Sequence, residues 1–291
     1  MNHPLVSVPW GPWIGVYIVL TGLASGLTLA TRFLRSADQR TATRIEWLSS
    51  WSSLAALAVC TVILIGDLHR PERFFLMVTQ FTNTASLMSW GAKIIALKIG
   101  LLAVYLVLLH RRRRAFAAGD ATLTGSATRA LYAAVPDALA LTSFALAIYP
   151  AFLLSWTWSS PAAHDAGSAL VYLSSAAILG AAAADILAVL APAPDDGAMA
   201  ERTRVALMRL LAAHIVVLAF VALSLRTGET RAVLDALWNG PWVDASWILV
   251  VFTGLAMLLS VPVFARRGRI ALDVTALVAA TASRYLVFAV H

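Results

Sequence analysis

Tyr17, Asp67, Lys93 and Tyr149 bring together two phenols, a carboxylate and an ammonium, groups able to hydrogen-bond a pair of carbonyl oxygens and to exchange protons with them. Each lies in or at the end of a long apolar run. At about 1.5 Å per helical residue, Tyr17, Lys93 and Tyr149 fall roughly 8–10 Å inward from one end of their runs, and Asp67 closes its run on the same side. If the runs pack as neighbours, the four groups meet at one level. Such a pocket suits a quinone, which needs aromatic and aliphatic walls, a few donors and acceptors, and nearby proton acceptors. Plainer roles compete: the tyrosines as interface anchors and Lys93 as a snorkelling surface cation.

The segment Asp67-Leu68-His69-Arg70-Pro71-Glu72-Arg73-Phe74 follows the second run. Asp67 and Glu72 stand close enough to pair with Arg70 and Arg73, and Pro71 suits the first turn of a short helix. The segment is either a structural ion-pair network or a loop, built on Arg70, Glu72 and Arg73, that roofs the pocket or docks an electron-transfer partner. Ionisable residues within apolar runs are costly and each needs a reason. Lys98 falls near mid-membrane and requires a carboxylate, a carbonyl cluster or water. Asp185, His214 and Arg284 could line a proton path or serve as isolated packing contacts. His214 is the only histidine well inside a run, so a bis-histidine haem is not expected. The single cysteine, Cys60, excludes an internal disulfide and a thiolate cluster, so any iron–sulfur centre must belong to a partner.

The elements that would position these groups are membrane helices. Of the 291 residues, 60% are hydrophobic and 13% charged, which argues against a soluble domain. Eight apolar runs stand out, at 12–31, 47–66, 86–109, 134–155, 167–191, 205–225, 245–264 and 271–290. They are too long for barrel strands and lack period-two alternation, so helices are expected. The first run has no preceding basic region and is too long for a secretory signal core. The expected fold is an all-α integral membrane domain over 1–291, with eight transmembrane helices in two four-helix bundles, 12–155 around the quinone site and 167–290 beyond it.

Orientation follows from the basic residues. Links one, three, five and seven carry fifteen arginines, among them Arg111 to Arg114, whereas the other side carries four: Arg70, Arg73, Arg226 and Arg231. Positive links remain cytoplasmic, which puts both termini in the periplasm of a bacterial inner membrane. The net charge of +7 is therefore a topology and lipid-contact signal, with no nucleic-acid partner expected. Eight of the ten tryptophans fall near the outer ends of the runs, as interfacial anchors or as part of a surface for another protein.

Asp67-Leu-His-Arg-Pro-Glu-Arg-Phe, then Asn83 and Ser86-Leu-Met-Ser-Trp-Gly-Ala, resembles the signature of the NrfD/polysulfide-reductase (PsrC-like) membrane subunits. Trp13, Tyr17 and Gly22-Leu-Ala-Ser-Gly26 are similar to that family's first helix, and Tyr149 with Phe-Leu-Leu beyond it and Arg284-Tyr285 also match. The resemblance implies an eight-helix subunit of a respiratory-chain type of oxidoreductase. It would anchor a ferredoxin-like iron–sulfur subunit, often with a molybdopterin catalytic subunit beyond, and exchange electrons with menaquinone or ubiquinone. In the family the quinone pocket lies in the first bundle near the iron–sulfur subunit. This implies Asp67, Tyr17 and Tyr149 as catalytic groups, and Trp13, His69 and Lys93 with them as quinone contacts. Departures are Leu87 for a frequent proline, Lys93 for an aromatic, Ala279-Ala280 for a glycine pair, and Tyr17 where some relatives carry histidine.

Two other function classes fit an eight-helix chain. A small-solute or ion transporter would use Lys98, Asp185 and His214 as substrate contacts, but no internal repeat is evident, since the motif after span two has no counterpart after span six. A passive anchor would hold soluble subunits without touching quinone.

Overall fold

A computed structural model of the chain describes residues 11–33, 39–67, 79, 86–118, 126–156, 166–190, 196–225 and 231–289. The helices are α1 (Pro12–Phe33), α2 (Gln39–Asp67), α3 (Leu87–Ala117), α4 (Ser126–Trp156), α5 (Ala166–Leu190), α6 (Asp196–Ser224), α7 (Arg231–Asn239), α8 (Val243–Leu259) and α9 (Pro262–Ala289). Among the described residues there is no strand, as expected where water cannot satisfy the backbone.

Seven helices are long and apolar enough to cross a bilayer; α7 and α8, bent by 80°, pass the same test only as a pair. The run expected at 245–264 is thus a 17-residue helix, α8, preceded by a turn at Gly240-Pro241-Trp242 and the short α7. Helices α1 and α5 match their apolar runs to within two residues, and α2, α3, α4, α6 and α9 extend beyond theirs. Helix α2 begins at Gln39 rather than near 47, and α3 runs on through Arg111 to Arg114. Helix α9 starts at Pro262 and bends at Gly268, where φ is −115° and ψ is 19°.

Within the first four helices, α1 and α2, α2 and α3, and α3 and α4 run antiparallel. The end of α1 meets the start of α4 through Arg32 and Asp137 at 3.0 Å, and the start of α2 meets the end of α3 through Glu46 and Tyr105 at 2.9 Å. One face of the molecule therefore gathers the arginine-rich helix ends, and the opposite face gathers Trp13, Asp67 and Trp90. Helix α1 is central, packing on α2, α4, α5 and α9.

Its crossing with α5 leaves no room for side chains. A Cβ on Gly26 would lie 1.9 Å from the Ala176 carbonyl oxygen, and one on Gly180 would lie 1.9 Å from the Gly26 carbonyl carbon. Small residues permit this backbone contact, and dispersion over the close surfaces holds it. One apolar core cluster joins α1 to α4 through Ile18, Leu57, Leu102 and Leu146, and a second joins α5, α6, α8 and α9 through Ile178, Leu211, Ala256 and Ala276.

Candidate functional site

The tryptophan-side end of α1 to α4 carries the phenols. Tyr17 is 2% exposed and Tyr149 6%. They lie near each other, and Cys60 lies near Tyr17. The Tyr149 hydroxyl donates to the Leu87 carbonyl at 3.2 Å, which fixes the ring against the first turn of α3. That turn is itself held by Ser86, whose hydroxyl oxygen accepts from the Ser89 N–H at 3.3 Å as an N-cap. Gly91 provides the seat, because a Cβ there would come within 2.3 Å of both the Tyr149 ring and its hydroxyl oxygen. The Ser-x-x-Ser-Trp-Gly segment at 86–91 thus has a physical task, which is to cap α3 and open a hollow for a phenol. Beneath Tyr17 the Cys60 thiol donates to the Tyr17 carbonyl at 3.7 Å. Among the described residues nothing hydrogen-bonds the Tyr17 hydroxyl.

Asp67 ends α2, half-buried, with one carboxylate oxygen 4.0 Å from the position of a Cβ on Gly11. Lys93 is half-buried with its ammonium 5.5 Å from the centre of the Trp90 ring. Trp13 is 65% exposed, on the outward side of α1. His69, Arg70, Glu72 and Arg73 lie outside the described residues.

The three groups considered for a proton path divide into two places. Arg284 is fully buried, its guanidinium donating to the Ile18 carbonyl at 3.2 Å, the Tyr172 carbonyl at 2.5 Å and the Ser175 hydroxyl at 3.2 Å, above the Tyr172 ring. Gly22 makes its space, since a Cβ there would lie 2.4 Å from the guanidinium carbon. His214 is within electrostatic range of Arg284 and joins the Ser174 hydroxyl through Nδ1 at 2.7 Å. Asp185 lies ten residues beyond Ser175 on α5, about 15 Å along the axis. There it receives two hydrogen bonds from Arg269, at 2.7 and 2.8 Å, beside the buried Asp273.

Lys98 is completely buried and held by neutral oxygens, the Ala24 carbonyl at 3.1 Å, the Thr28 hydroxyl at 3.1 Å and the Ser143 hydroxyl at 2.7 Å. Of the partners anticipated for it, the structure supplies a carbonyl with two hydroxyls. Glu46, 3% exposed, did not stand out in the sequence because it precedes the second apolar run; only the true start of α2 places it inside the bundle.

Among α5 to α9 lies a cavity of about 470 Å³, lined by apolar side chains such as Val171, Leu218, Leu234 and Leu249. Its described lining includes the hydroxyls of Ser168, Ser246, Thr253 and Ser283 but no ionisable group, so it lacks a carboxylate or imidazole to take up a proton. Among the described residues no cluster of three or more histidine, cysteine or carboxylate side chains could hold a metal.

A family model described as "Polysulphide reductase, NrfD" matches residues 2–290. No curated protein matches the chain.

Proposed function

The chain belongs to the polysulphide reductase, NrfD family, whose members are membrane subunits of oxidoreductase complexes, and from that premise we propose that it is the quinone-reactive anchor of such a complex. In this reading it exchanges electrons between a membrane quinone, menaquinone or ubiquinone, and the iron–sulfur cluster of a ferredoxin-like partner. A molybdopterin subunit beyond that partner carries the terminal chemistry. The chain sits in a bacterial inner membrane with both termini periplasmic, so the tryptophan-lined face receives the partner.

The observation that carries the reading is the pair of buried phenols, Tyr17 and Tyr149, near each other among α1 to α4, with Asp67 ending α2. The fit rests on donor chemistry. Tyr149 already donates to Leu87, so its oxygen is left to accept, whereas Tyr17 has a hydroxyl that no described residue engages and can donate. A bound quinone supplies two-electron, two-proton redox chemistry. This chain's part is to orient the ring between an acceptor and a donor and to hold a proton on the Asp67 carboxylate. In this reading Trp13, His69 and Lys93 are further quinone contacts, and Arg70, Glu72 and Arg73 belong to the loop that docks the partner.

The test is quinol-linked turnover of the assembled complex with Tyr17→Phe, Tyr149→Phe and Asp67→Asn. Loss of a positioned proton acceptor is expected to lower turnover by about 10²-fold, with the partner still copurifying. Unchanged turnover for both Asp67→Asn and Tyr149→Phe rejects the site. Copurifying partner without bound quinone points to a passive anchor, and neither partner nor quinone to a transporter.

A further inference from the structure

The cavity of about 470 Å³ among α5 to α9 falls within the roughly 300–1,000 Å³ of small-molecule sites, and the first four helices take no part in its lining. Helix α6 packs on α5 and α8 packs on α9, but α6 and α8 meet only slightly. Ile215 of α6 and Val250 of α8 border the cavity and are exposed, so it opens sideways between these helices, toward the bilayer. At one end lies α7, turned 80° from α8. Val233, Leu234 and Leu237 of α7 line the cavity, while Arg231, Asp235 and Asn239, spaced by four, form an exposed polar stripe suited to the membrane surface. Ser246 and Thr253 of α8 also border the cavity; each is 5% exposed, and neither hydroxyl has a partner. Other buried hydroxyls here return to a carbonyl of the preceding turn, as those of Thr21, Ser175, Thr275 and Ser283 do. A buried hydroxyl left without a partner is costly. Seven residues apart, Ser246 and Thr253 share one face of α8, roughly 10 Å from each other along the axis.

We propose that this cavity is a second quinone site, in which Ser246 and Thr253 each turn about the Cα–Cβ bond and donate to one of the two carbonyl oxygens of a para-quinone ring. Two hydrogen bonds of about 2.8 Å, on either side of a ring whose oxygens are roughly 5 Å apart, together reach roughly 10 Å, which matches the spacing along α8. The isoprenoid tail leaves between α6 and α8 into the bilayer. A saturated acyl chain would fill the same space but leave both hydroxyls unsatisfied, and no described lining residue carries a charge to hold a phosphate. The ring is held there and not converted, because a neutral hydroxyl can donate a hydrogen bond but is a poor acid, and the lining has no carboxylate or imidazole. Trp242 packs both with Leu234 and Leu249 at the cavity and with the apolar cluster of α1 to α4. Its ring centre is 6.3 Å from that of Tyr285, which lies against Gly15, two residues before Tyr17. The second site therefore stands beside the phenols of the first, as a reserve next to the place of reaction. It rests on the quinone reading for the identity of its occupant, but shares no residue with the first site.

The test is photolabelling of the whole complex in lipid nanodiscs with an azidoquinone bearing a short isoprenoid tail, followed by mass spectrometry of the labelled peptides. Label is expected on α6 or α8 as well as on α1 to α4. Ser246→Ala combined with Thr253→Val removes both donors with little change of volume. It should weaken the α6 and α8 label by about tenfold or more and leave the label on α1 to α4 as it was. Gly254 borders the cavity, and a Cβ there meets nothing within 4 Å, so Gly254→Phe can fill the space and should abolish the α6 and α8 label. Label confined to α1 to α4 overturns the second site, as does label on α6 or α8 that survives the double variant. Release of phospholipid rather than quinone by Gly254→Phe, read by native mass spectrometry, gives the cavity to ordinary membrane lipid and likewise overturns it. If Gly254→Phe fails to fold, the double variant decides alone. Donor-dependent label on α6 or α8, with none on α1 to α4 and turnover insensitive to Tyr17 and Tyr149, refutes the first site alone. Turnover sensitive to Tyr17 and Tyr149 without donor-dependent label on α6 or α8 refutes the second site alone.

Discussion

Gly91 and Gly22 each lie where the neighbouring helix presents a large polar side chain, and in both cases the missing methyl group is the space that side chain fills. Gly91→Ala drives a Cβ into the Tyr149 ring, which must turn away and lose its bond to Leu87. Since misplacing a positioned group by an ångström is costly, turnover should fall by about tenfold or more, measured with copurification of the partner as the control. Gly22→Ala instead strikes the Arg284 guanidinium, whose hydrogen bonds hold α9 to α1 and α5. Overpacking of this kind is expected to cost about 1–3 kcal/mol, seen as a lower Tm in detergent. The sequence made Tyr17, Tyr149 and Arg284 visible because polar groups in apolar runs are conspicuous. It could not assign Gly91 to Tyr149, since 58 residues separate them and only packing relates them.

At the scale of elements, the closest approach in the fold is that of α1 and α5, where the backbones touch at Gly26 and Gly180. Gly180 to Ala184 is a run of small residues that permits close approach, but nothing in the sequence names its partner, because small residues carry no complementary shape. Gly180→Ala meets backbone rather than a flexible side chain, so it should destabilise by at least the usual overpacking cost of about 1–3 kcal/mol and reduce the yield of folded protein. The contact of α5 with α9 adds an ion pair to its apolar packing. Arg269→Ala would leave Asp185, whose side chain is 4% exposed, without its cation, at an expected cost of about 3–5 kcal/mol by thermal unfolding. Helix boundaries were the least legible part. Hydropathy marks where a helix is apolar, whereas α2 and α3 continue for turns beyond that zone with polar faces, and this is why Glu46 was overlooked. The bend between α7 and α8 follows from Gly240-Pro241, which interrupts the helix, yet a nine-residue helix such as α7 is too short for its pattern to be distinctive.

For the whole molecule, the gathering of arginines at one face and of most tryptophans at the other was legible from their positions along the chain, and the antiparallel order of α1 to α4 agrees with it, with Trp47 packed under Arg113 on the arginine side. In the proposed orientation, with both termini periplasmic, a cysteine placed at Arg112 in a Cys60→Ser background should resist a membrane-impermeant thiol reagent in intact cells, and one at Trp13 should react. The reverse pattern would invert the proposed orientation. The last feature concerns how the chain is made. Arg284 lies in α9 and closes on the carbonyl of Ile18, 266 positions earlier, and on that of Tyr172, 112 earlier. The ribosome therefore delivers α1 and α5 to the bilayer well before the cation that ties them together exists. The hollow at Gly22 must wait through most of translation to be filled, so final locking is an event of late biogenesis. A polypeptide interrupted ahead of α9 would reach the membrane with its helices inserted but lacking this clasp, a form that surveillance proteases can distinguish from the finished subunit.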